Sequence, residues 1–556
     1  MKKVITALVI IILAGLLGFF IYLGVVKNKS SDNGSSNSDL RYSSKPDSLS
    51  ITGFGGYKFE NIKIDGENIP LIKIPLVTWG GYAALFAANG GIKPSKDSLF
   101  YKNGKFVVEL IREEDSNVHL QNFANGNYPI IWSTMDMLPL ILDAVKSDKR
   151  VIPQVFGVFD WSFGGDGIIV RDNIKTPKDL RGKRIVTSGN TPSNFFLLWL
   201  LAQSDLQPSD VIIQYVSDAV AAKDAYINDK KIDGCVTWSP FLYEIVDAKS
   251  KSFVPGSKLL ITSKDANQLI ADCYLTRNDF AKDHPDVIKN FSKSMMEGVD
   301  LFLQNKQKVY NDLASLYQLP DGATEASYMV MDVHIANYPE NKMFFSLENA
   351  ISAYKIFFLS QEYYKISGSL PSGASYDPET VINAKFLDEF DGDKLFSHQA
   401  NTIKNSFNKD SSFNIADLES RNIVLAEDIE IYFDPQRTDF DFSSSSEEII
   451  KNKGYLQKIS YQMEVLGTTI VKLVGHLDTS KVEEFKSKGA QVYIEASAQA
   501  KLISKKRAEY VKKLLIEKYK ADGERIITEG KGWDSPVDPL DQAKNRRVEI
   551  RFYSFE

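Results

Sequence analysis

"TPKDLRGKRIVTSGNTPSNFFLLWLL", Thr176–Leu201, holds a strand, a turn and a helix in one stretch. "KRIVTSG", Lys183–Gly189, reads as a short buried strand. Ser188-Gly189-Asn190-Thr191-Pro192-Ser193 forms a turn of small and hydroxyl residues, and "NFFLLWLLAQS", Asn194–Ser204, reads as the helix after it. The same alternation extends both ways. Asn68–Trp79, Tyr128–Thr134, Gly167–Asp172, Val211–Ser217 and Asp233–Trp238 read as strands. Tyr82–Ala88, Met137–Ser147 and Ala221–Lys230 read as helices between them. That order predicts an α/β domain with parallel sheets covered by helices.

Four of these strands end in similar turns. Besides Ser188–Ser193 there are Thr78-Trp79-Gly80-Gly81-Tyr82, Trp132-Ser133-Thr134-Met135-Asp136, and Thr237-Trp238-Ser239-Pro240. Ligands of open α/β sheets sit beyond the carboxyl ends of the strands, at helix N-termini. Free N–H groups there favour anions, and hydroxyls add neutral donors. Taken singly, each turn is ordinary helix capping. Four in one domain point to a shared cleft, with Trp79, Tyr82, Trp132 and Trp238 as candidate walls.

Three stretches carry a family resemblance: Thr176–Leu201, Ala221–Glu244 ("AAKDAYINDKKIDGCVTWSPFLYE") and Leu275–Met295 ("LTRNDFAKDHPDVIKNFSKSM"). Together they resemble the solute-binding proteins of ABC importers for nitrate, taurine and alkyl sulfonates. The resemblance implies a two-lobed, periplasmic-binding-protein-like α/β domain that closes over a small solute by hinge motion. It points to Trp79, Gly80, Ser133, Thr134, Ser188, Thr191 and Trp238 as solute-binding residues, and to an ABC permease as a partner. Asp136, Asp166 and Asp218 lie near these motifs with no arginine to balance them, which fits a simple sulfonate or nitrate pocket poorly. They fit the amine of a zwitterion, or capping and pairing elsewhere.

The remaining composition narrows the function. A net charge of -6 leaves no electrostatic footprint for nucleic acid. Cys235 and Cys273 stand alone, either as one disulfide or, preferably, as two buried thiols. A related group with the same two-lobed fold is enzymatic and uses a cysteine-rich motif, which this sequence lacks. No catalytic motif, metal-ligand cluster or cofactor signature stands out, so the expectation is a binding protein with no catalytic residues, no metal and no cofactor.

Lys2 and Lys3 precede an uncharged run, Val4–Val26, long enough to span a bilayer as a helix. Residues 1–26 are therefore expected to be an uncleaved signal anchor, a single transmembrane helix, and residues 27–48 a polar, flexible linker. The solute-binding-like domain is expected over 49–395 and a second linker over 396–426.

The last segment, 427–556, reads as a small α+β unit. "IEIYFD" (Ile429–Asp434) is followed by a helix with Ser446 as N-cap, then "VKLVGHLD" (Val471–Asp478), "LISKKRAEYVKKLL" (Leu502–Leu515), "IITEGKGWDSPV" (Ile526–Val537) and "NRRVEI" (Asn545–Ile550). This series resembles the OmpA-like peptidoglycan-binding domain. The resemblance implies that Asp478 takes the ammonium and Arg507 the carboxylate of the diaminopimelate in the peptidoglycan stem. Leu477, Thr479, Ile503 and Ser504 fall at neighbouring motif positions, and His476 reads as a packing residue rather than a metal ligand. "TSKVEEFKSKGAQVYIEASAQ", Thr479–Gln499, looks like an insertion that either leaves the pocket open or covers it.

The reading is an inner-membrane, single-pass protein with its bulk in the periplasm. It binds peptidoglycan and a small anionic or zwitterionic solute, as transport receptor or sensor. The alternative is a non-enzymatic cell-wall scaffold whose solute-binding-like domain has become a protein-interaction module.

Overall fold

The computed structural model describes residues 46, 49–349, 351–392, 394–403, 418, 421, 423–427, 431, 433–434, 437–538 and 540–554. The expected membrane anchor, nearly all of the first linker and most of the second lie outside the described residues. Among the described residues no helix is long and apolar enough to cross a membrane. Two compact units form, one mainly from residues 43–426 and the other mainly from 427–552.

Among the described residues the sheets of the larger unit are built from β1 Glu60–Ile64, β2 Glu67–Leu76, β3 Val107–Arg112, β4 Ile130–Thr134, β5 Pro153–Ser162, β6 Asp166–Arg171, β7 Arg184–Ser188, β8 Ile212–Val216, β9 Gly234–Trp238, β10 Ser257–Thr262, β11 Ala271–Arg277 and β12 Val333–Ile335. The sheets β1-β2-β3 and β12-β5-β11-β4 meet where β2 lies against β4, and form one lobe. The sheet β10-β6-β9-β7-β8 forms the other. The expectation of parallel sheets holds only in part. The pairs β2/β3, β7/β8 and β7/β9 are parallel, whereas β4/β11, β5/β11, β5/β12, β6/β9 and β6/β10 are antiparallel. β1 and β2 form a further antiparallel pair, and β6 and β11, each entered directly after the chain passes between lobes, run against the direction of the βα units.

Those two passages, β5 to β6 and β10 to β11, are stitched together by hydroxyls. Ser162 and Ser263 share a hydrogen bond between their Oγ atoms at 2.7 Å. Ser263 Oγ also accepts from the backbone N–H of Gly164 at 2.8 Å and of Asp166 at 3.1 Å. Backbone bonds from Ser162 N to Ile270 O (3.0 Å) and from Ser263 N to Asp166 O (2.8 Å) complete the seam.

Helix packing follows the sequence pattern. Pro285–Gln304 starts with proline in its first turn and buries Ile288, Phe291, Met295, Met296, Val299 and Phe302 along one stripe. Gly298 is required within it, because a Cβ there would stand 2.4 Å from Ala84 O. Pro192–Gln203 is apolar all round and correspondingly buried on nearly every side. Cys235 and Cys273 are free and buried. The chain from 396 packs on this unit before the undescribed stretch begins. Phe396 joins Tyr338 and Phe390 in a buried cluster, and the Thr402 and Ile403 N–H groups donate to Glu340 Oε1 at 2.8 and 2.9 Å.

In the smaller unit the strand Thr469–His476 lies between Val548–Ser554 and Ile526–Gly532, running parallel to the latter. Ser446 caps the helix Glu447–Val465, accepting from Ile449 N at 3.4 Å. The helix Ala490–Tyr519 begins earlier than the resemblance implied. The insertion supplies a short helix, Val482–Ser487, then breaks at Gly489, whose φ of +106 suits glycine, and feeds the long helix.

Candidate functional sites

The strand ends facing the second lobe carry an acidic cluster. Asp160 on β5 stands opposite Asp272 on β11, and Asp272 on its other side stands opposite Thr134 at the end of β4. Asp136 lies two residues further along. From the second lobe Asp166 begins β6, opposite Trp238 on β9. All four carboxyls are at most 3% exposed. None forms an ion pair with a basic residue among the described residues.

Their environment disfavours the charged form. Burial pushes Asp136, Asp166 and Asp272 up to about 7. Asp160 is raised further, by burial first and then by the Asp272 carboxyl beside it. Hydrogen bonding from Thr134 and Tyr364 to Asp136, and from Ser162 and Ser193 to Asp166, opposes the rise. Tyr364 OH lies 3.3 Å from Asp136 Oδ2, brought there by the helix Ala353–Ser367.

The walls are aromatic. Tyr82 stacks on Phe159 at 5.2 Å between ring centroids and meets Trp132 edge-on at 5.9 Å, while Phe159 stacks on Tyr274 at 4.5 Å. A Cβ on Gly81 would stand 1.5 Å from Asp160 Oδ2 and 2.8 Å from Trp79 Nε1, so carboxyl and indole meet over a position only glycine can fill. The hydroxyls of Tyr82 and Tyr274 are buried without a hydrogen-bond partner, while the Trp79 indole N–H serves the Asp160 and Asp272 carboxyls.

Of the solute-binding residues expected from sequence, Trp79, Thr134 and Trp238 stand at this cluster. Gly80 allows the backbone to approach Met329, whose carbonyl oxygen would lie 2.2 Å from a Cβ. Ser133 is half-buried, and its Oγ approaches only the Thr134 carbonyl, at 3.4 Å. Ser188 and Thr191 tie their own turn: their hydroxyls meet at 3.0 Å, and Thr191 Oγ1 donates to Ser188 O at 2.9 Å. Asp218 is a helix cap, accepting from Ala221 N at 2.8 Å, and does not belong with Asp136 and Asp166. Asp160 and Asp272 were not visible as candidates, because β5 and β11 do not stand out as strands in the sequence.

In the smaller unit, the carboxyl–arginine pair expected from the resemblance is arranged differently. Arg507 is fully buried and donates to three backbone carbonyls: Arg437 O at 2.9 Å, Asp434 O at 3.2 Å and His476 O at 3.4 Å. Its guanidinium also covers the Phe433 ring at 5.0 Å. Asp478 Oδ2 pairs instead with Arg546 Nη1 at 3.4 Å, and its Oδ1 accepts from Ser480 N at 3.2 Å. Partial burial raises the Asp478 carboxyl, but the Ser480 bonds and Arg546 outweigh it and hold the group below the usual range. Arg507 is lowered to about 10 by burial and then by the Arg546 charge, with Asp478 opposing, so the three charges form one group. Arg546 lies inside "NRRVEI", and the sequence pattern gives no sign of its pairing with Asp478.

Around them, Thr479 N and Oγ1 donate to Gln542 Oε1 at 2.8 and 3.0 Å, and Leu477 N donates to Gly532 O at 2.7 Å. Ser504 Oγ accepts from Gly532 N at 2.9 Å, whereas Ile503 is half-buried one turn away from Arg507. His476 lies 3.3 Å from Glu549 Oε1, inside the unit. Burial raises Glu549, but His476 and Arg547 more than compensate and bring it to about 2. Among the described residues no group of three His, Cys, Asp or Glu is placed to hold a metal ion. The insertion stacks on Trp533 through Phe485 (5.8 Å) and Tyr493 (6.2 Å).

Residues 96–309 match the family described as "NMT1/THI5 like". This stretch is similar to that family. Over 236 residues the chain is 26% identical to the "Taurine-binding periplasmic protein" of Escherichia coli (strain K12), covering 41% of this chain and 69% of that protein. The NMT1/THI5-like domain is thus homologous to periplasmic binding proteins. Solved structures similar to the chain include the periplasmic aliphatic sulphonate-binding protein of Escherichia coli, at 18% identity over 53% of this chain and 87% of that one, TM-score 0.42. The periplasmic nitrate-binding protein of Synechocystis matches at 15% identity over 59% and 88%, TM-score 0.42.

Proposed function

We propose that the chain is a periplasmic solute receptor, anchored in the inner membrane by residues 1–26 and bound to peptidoglycan through an OmpA-like domain at 427–556. The receptor domain spans 49–395, with linkers at 27–48 and 396–426, and works beside an ABC permease. The reading rests on one observation: buried carboxyls that no basic side chain balances, together with tyrosine hydroxyls without partners, are concentrated at the strand ends where two hydroxyl-stitched lobes meet. A buried polar group without a partner costs folding free energy, so such a concentration favours a site completed by something the cleft binds. Homology to a taurine-binding protein supports a small, charged solute. The proposed role is binding rather than catalysis, in keeping with that homology.

In the smaller unit, Asp478 and Arg546 present a paired carboxylate and guanidinium, each partly exposed, beside Arg507. Such a pair can exchange its internal contact for the ammonium and carboxylate of a zwitterionic stem peptide. Thermal-shift screening of the full-length protein in detergent against taurine, alkyl sulfonates, nitrate, amino acids and simple amines tests the receptor. A ligand-dependent rise in melting temperature is expected by linkage, and silence across the panel overturns it. Co-sedimentation with purified peptidoglycan tests the wall claim.

A further inference from the structure

We propose that the cleft selects a positively charged amine, held by Asp160, Asp272, Asp136 and Asp166 between the aromatic faces of Trp79, Tyr82 and Trp132, and needs no anionic group on its ligand. The inference rests on the receptor reading and specifies its substrate class.

Charge decides the sign. Asp160 and Asp272 oppose each other on adjacent antiparallel strands, an arrangement that is unfavourable for like charges. Asp166 arrives from the other lobe, so closing the lobes adds a third carboxyl, and Asp136 supplies a fourth. No lysine or arginine among the described residues pairs with any of them. An anion entering this cleft meets four carboxyls that no basic side chain balances, with neutral N–H and O–H donors beside them; a cation removes the carboxyls' mutual repulsion as the lobes close.

The uncharged groups agree. Tyr82 and Tyr274 hydroxyls, buried and unpartnered, lie close enough to Asp160 and Asp272 to feel both charges. They can accept N–H hydrogens that the carboxyls leave over. An ammonium offers three donors and no acceptor, matching a site rich in acceptor oxygens. Indole and phenol faces attract organic cations, Trp most strongly. A bare metal ion fits less well, since no group of three acidic, His or Cys side chains is arranged for coordination among the described residues.

Isothermal titration of the full-length protein in detergent with 1,4-diaminobutane, taurine and ethanesulfonate separates the charge types. Binding of 1,4-diaminobutane is expected at an affinity at least tenfold above that of ethanesulfonate. Asp160→Asn and Asp272→Asn, which keep side-chain shape, should each weaken diamine binding at least tenfold. Ethanesulfonate binding with the diamine silent overturns the amine assignment and leaves the receptor standing. Silence from all three overturns both. The three-ligand comparison on the unmodified protein decides the question even if a variant fails to fold, and quenching of the cleft tryptophans gives a second readout.

Discussion

Asp160 and Asp272 face each other across neighbouring antiparallel strands, both buried and neither paired with a base among the described residues. A cleft built on that pair must hold protons or a cation when the lobes are closed. Ligand chemistry and pH response therefore come from the same four side chains.

The pH response of the ligand-free protein follows from their raised values. Asp136, Asp166 and Asp272 titrate at about 7 when folded, against about 3.9 for unfolded aspartate. Between those values the folded chain binds more protons than the unfolded one, so stability falls as pH rises. The contribution is complete below about pH 4 and lost as pH rises through about 7. The melting temperature at pH 8 should lie about 5 °C or more below that at pH 5. Tryptophan fluorescence reports it well, since all tryptophans but Trp533 lie in the larger unit. An equal or higher melting temperature at pH 8 would contradict the buried, unpaired state of the cluster.

The seam between the lobes makes a second prediction. Ser263 Oγ serves Ser162 Oγ and the N–H groups of Gly164 and Asp166 at once. Ser263→Ala removes the acceptor of the Gly164 N–H and leaves the Asp166 N–H with Ser162 Oγ, at a cost of about 1–3 kcal/mol. Urea unfolding followed by tryptophan fluorescence should show the lower midpoint. A shift below about 0.5 kcal/mol would mean that the seam does not bear on stability.

How much of this was legible in sequence depended on what each strand faces. β6, β7 and β9 are runs of apolar residues buried on both sides and stand out by composition. β5 and β11 are just as buried, and β5 carries the apolar run Val155–Phe159, but each holds an aspartate near one end, a residue type that strands disfavour. The residues that hide those strands are the ones that make the cleft unusual. Hydroxyl turns were a mixed signal: Thr134 reaches the cluster, while Ser188 and Thr191 close their own turn. Arg507 stood out because its motif did, yet sequence could not show that the helix Ala490–Tyr519 turns it inward onto three carbonyls.

Close approach of that helix to the strand beneath it yields a third prediction. A Cβ on Gly475 would lie 1.9 Å from Ser504 O, on helix backbone that cannot give way locally. Gly475→Ala forces helix and strand apart and should destabilise the smaller unit by about 1–3 kcal/mol or more. The expected sign is an earlier loss of Trp533 burial, read as protection of its neighbourhood in hydrogen exchange. Unchanged exchange there would show that the packing tolerates the methyl.

The two arginines beside Asp478 should separate on mutation. Arg507 is enclosed and satisfies three backbone carbonyls, so Arg507→Ala leaves buried acceptors unpaired and removes a large side chain from the interior. A loss of about 3 kcal/mol or more is expected, with peptidoglycan binding lost along with the fold of the unit. Arg546 is partly exposed and holds Asp478 at 3.4 Å. Arg546→Ala should cost about 1 kcal/mol or less while cutting co-sedimentation with peptidoglycan at least tenfold, as should Asp478→Asn. Retained sedimentation in both of these folded variants would remove the Asp478–Arg546 pair from the binding site. Lost sedimentation in a folded Arg507→Ala variant would return the direct role to Arg507.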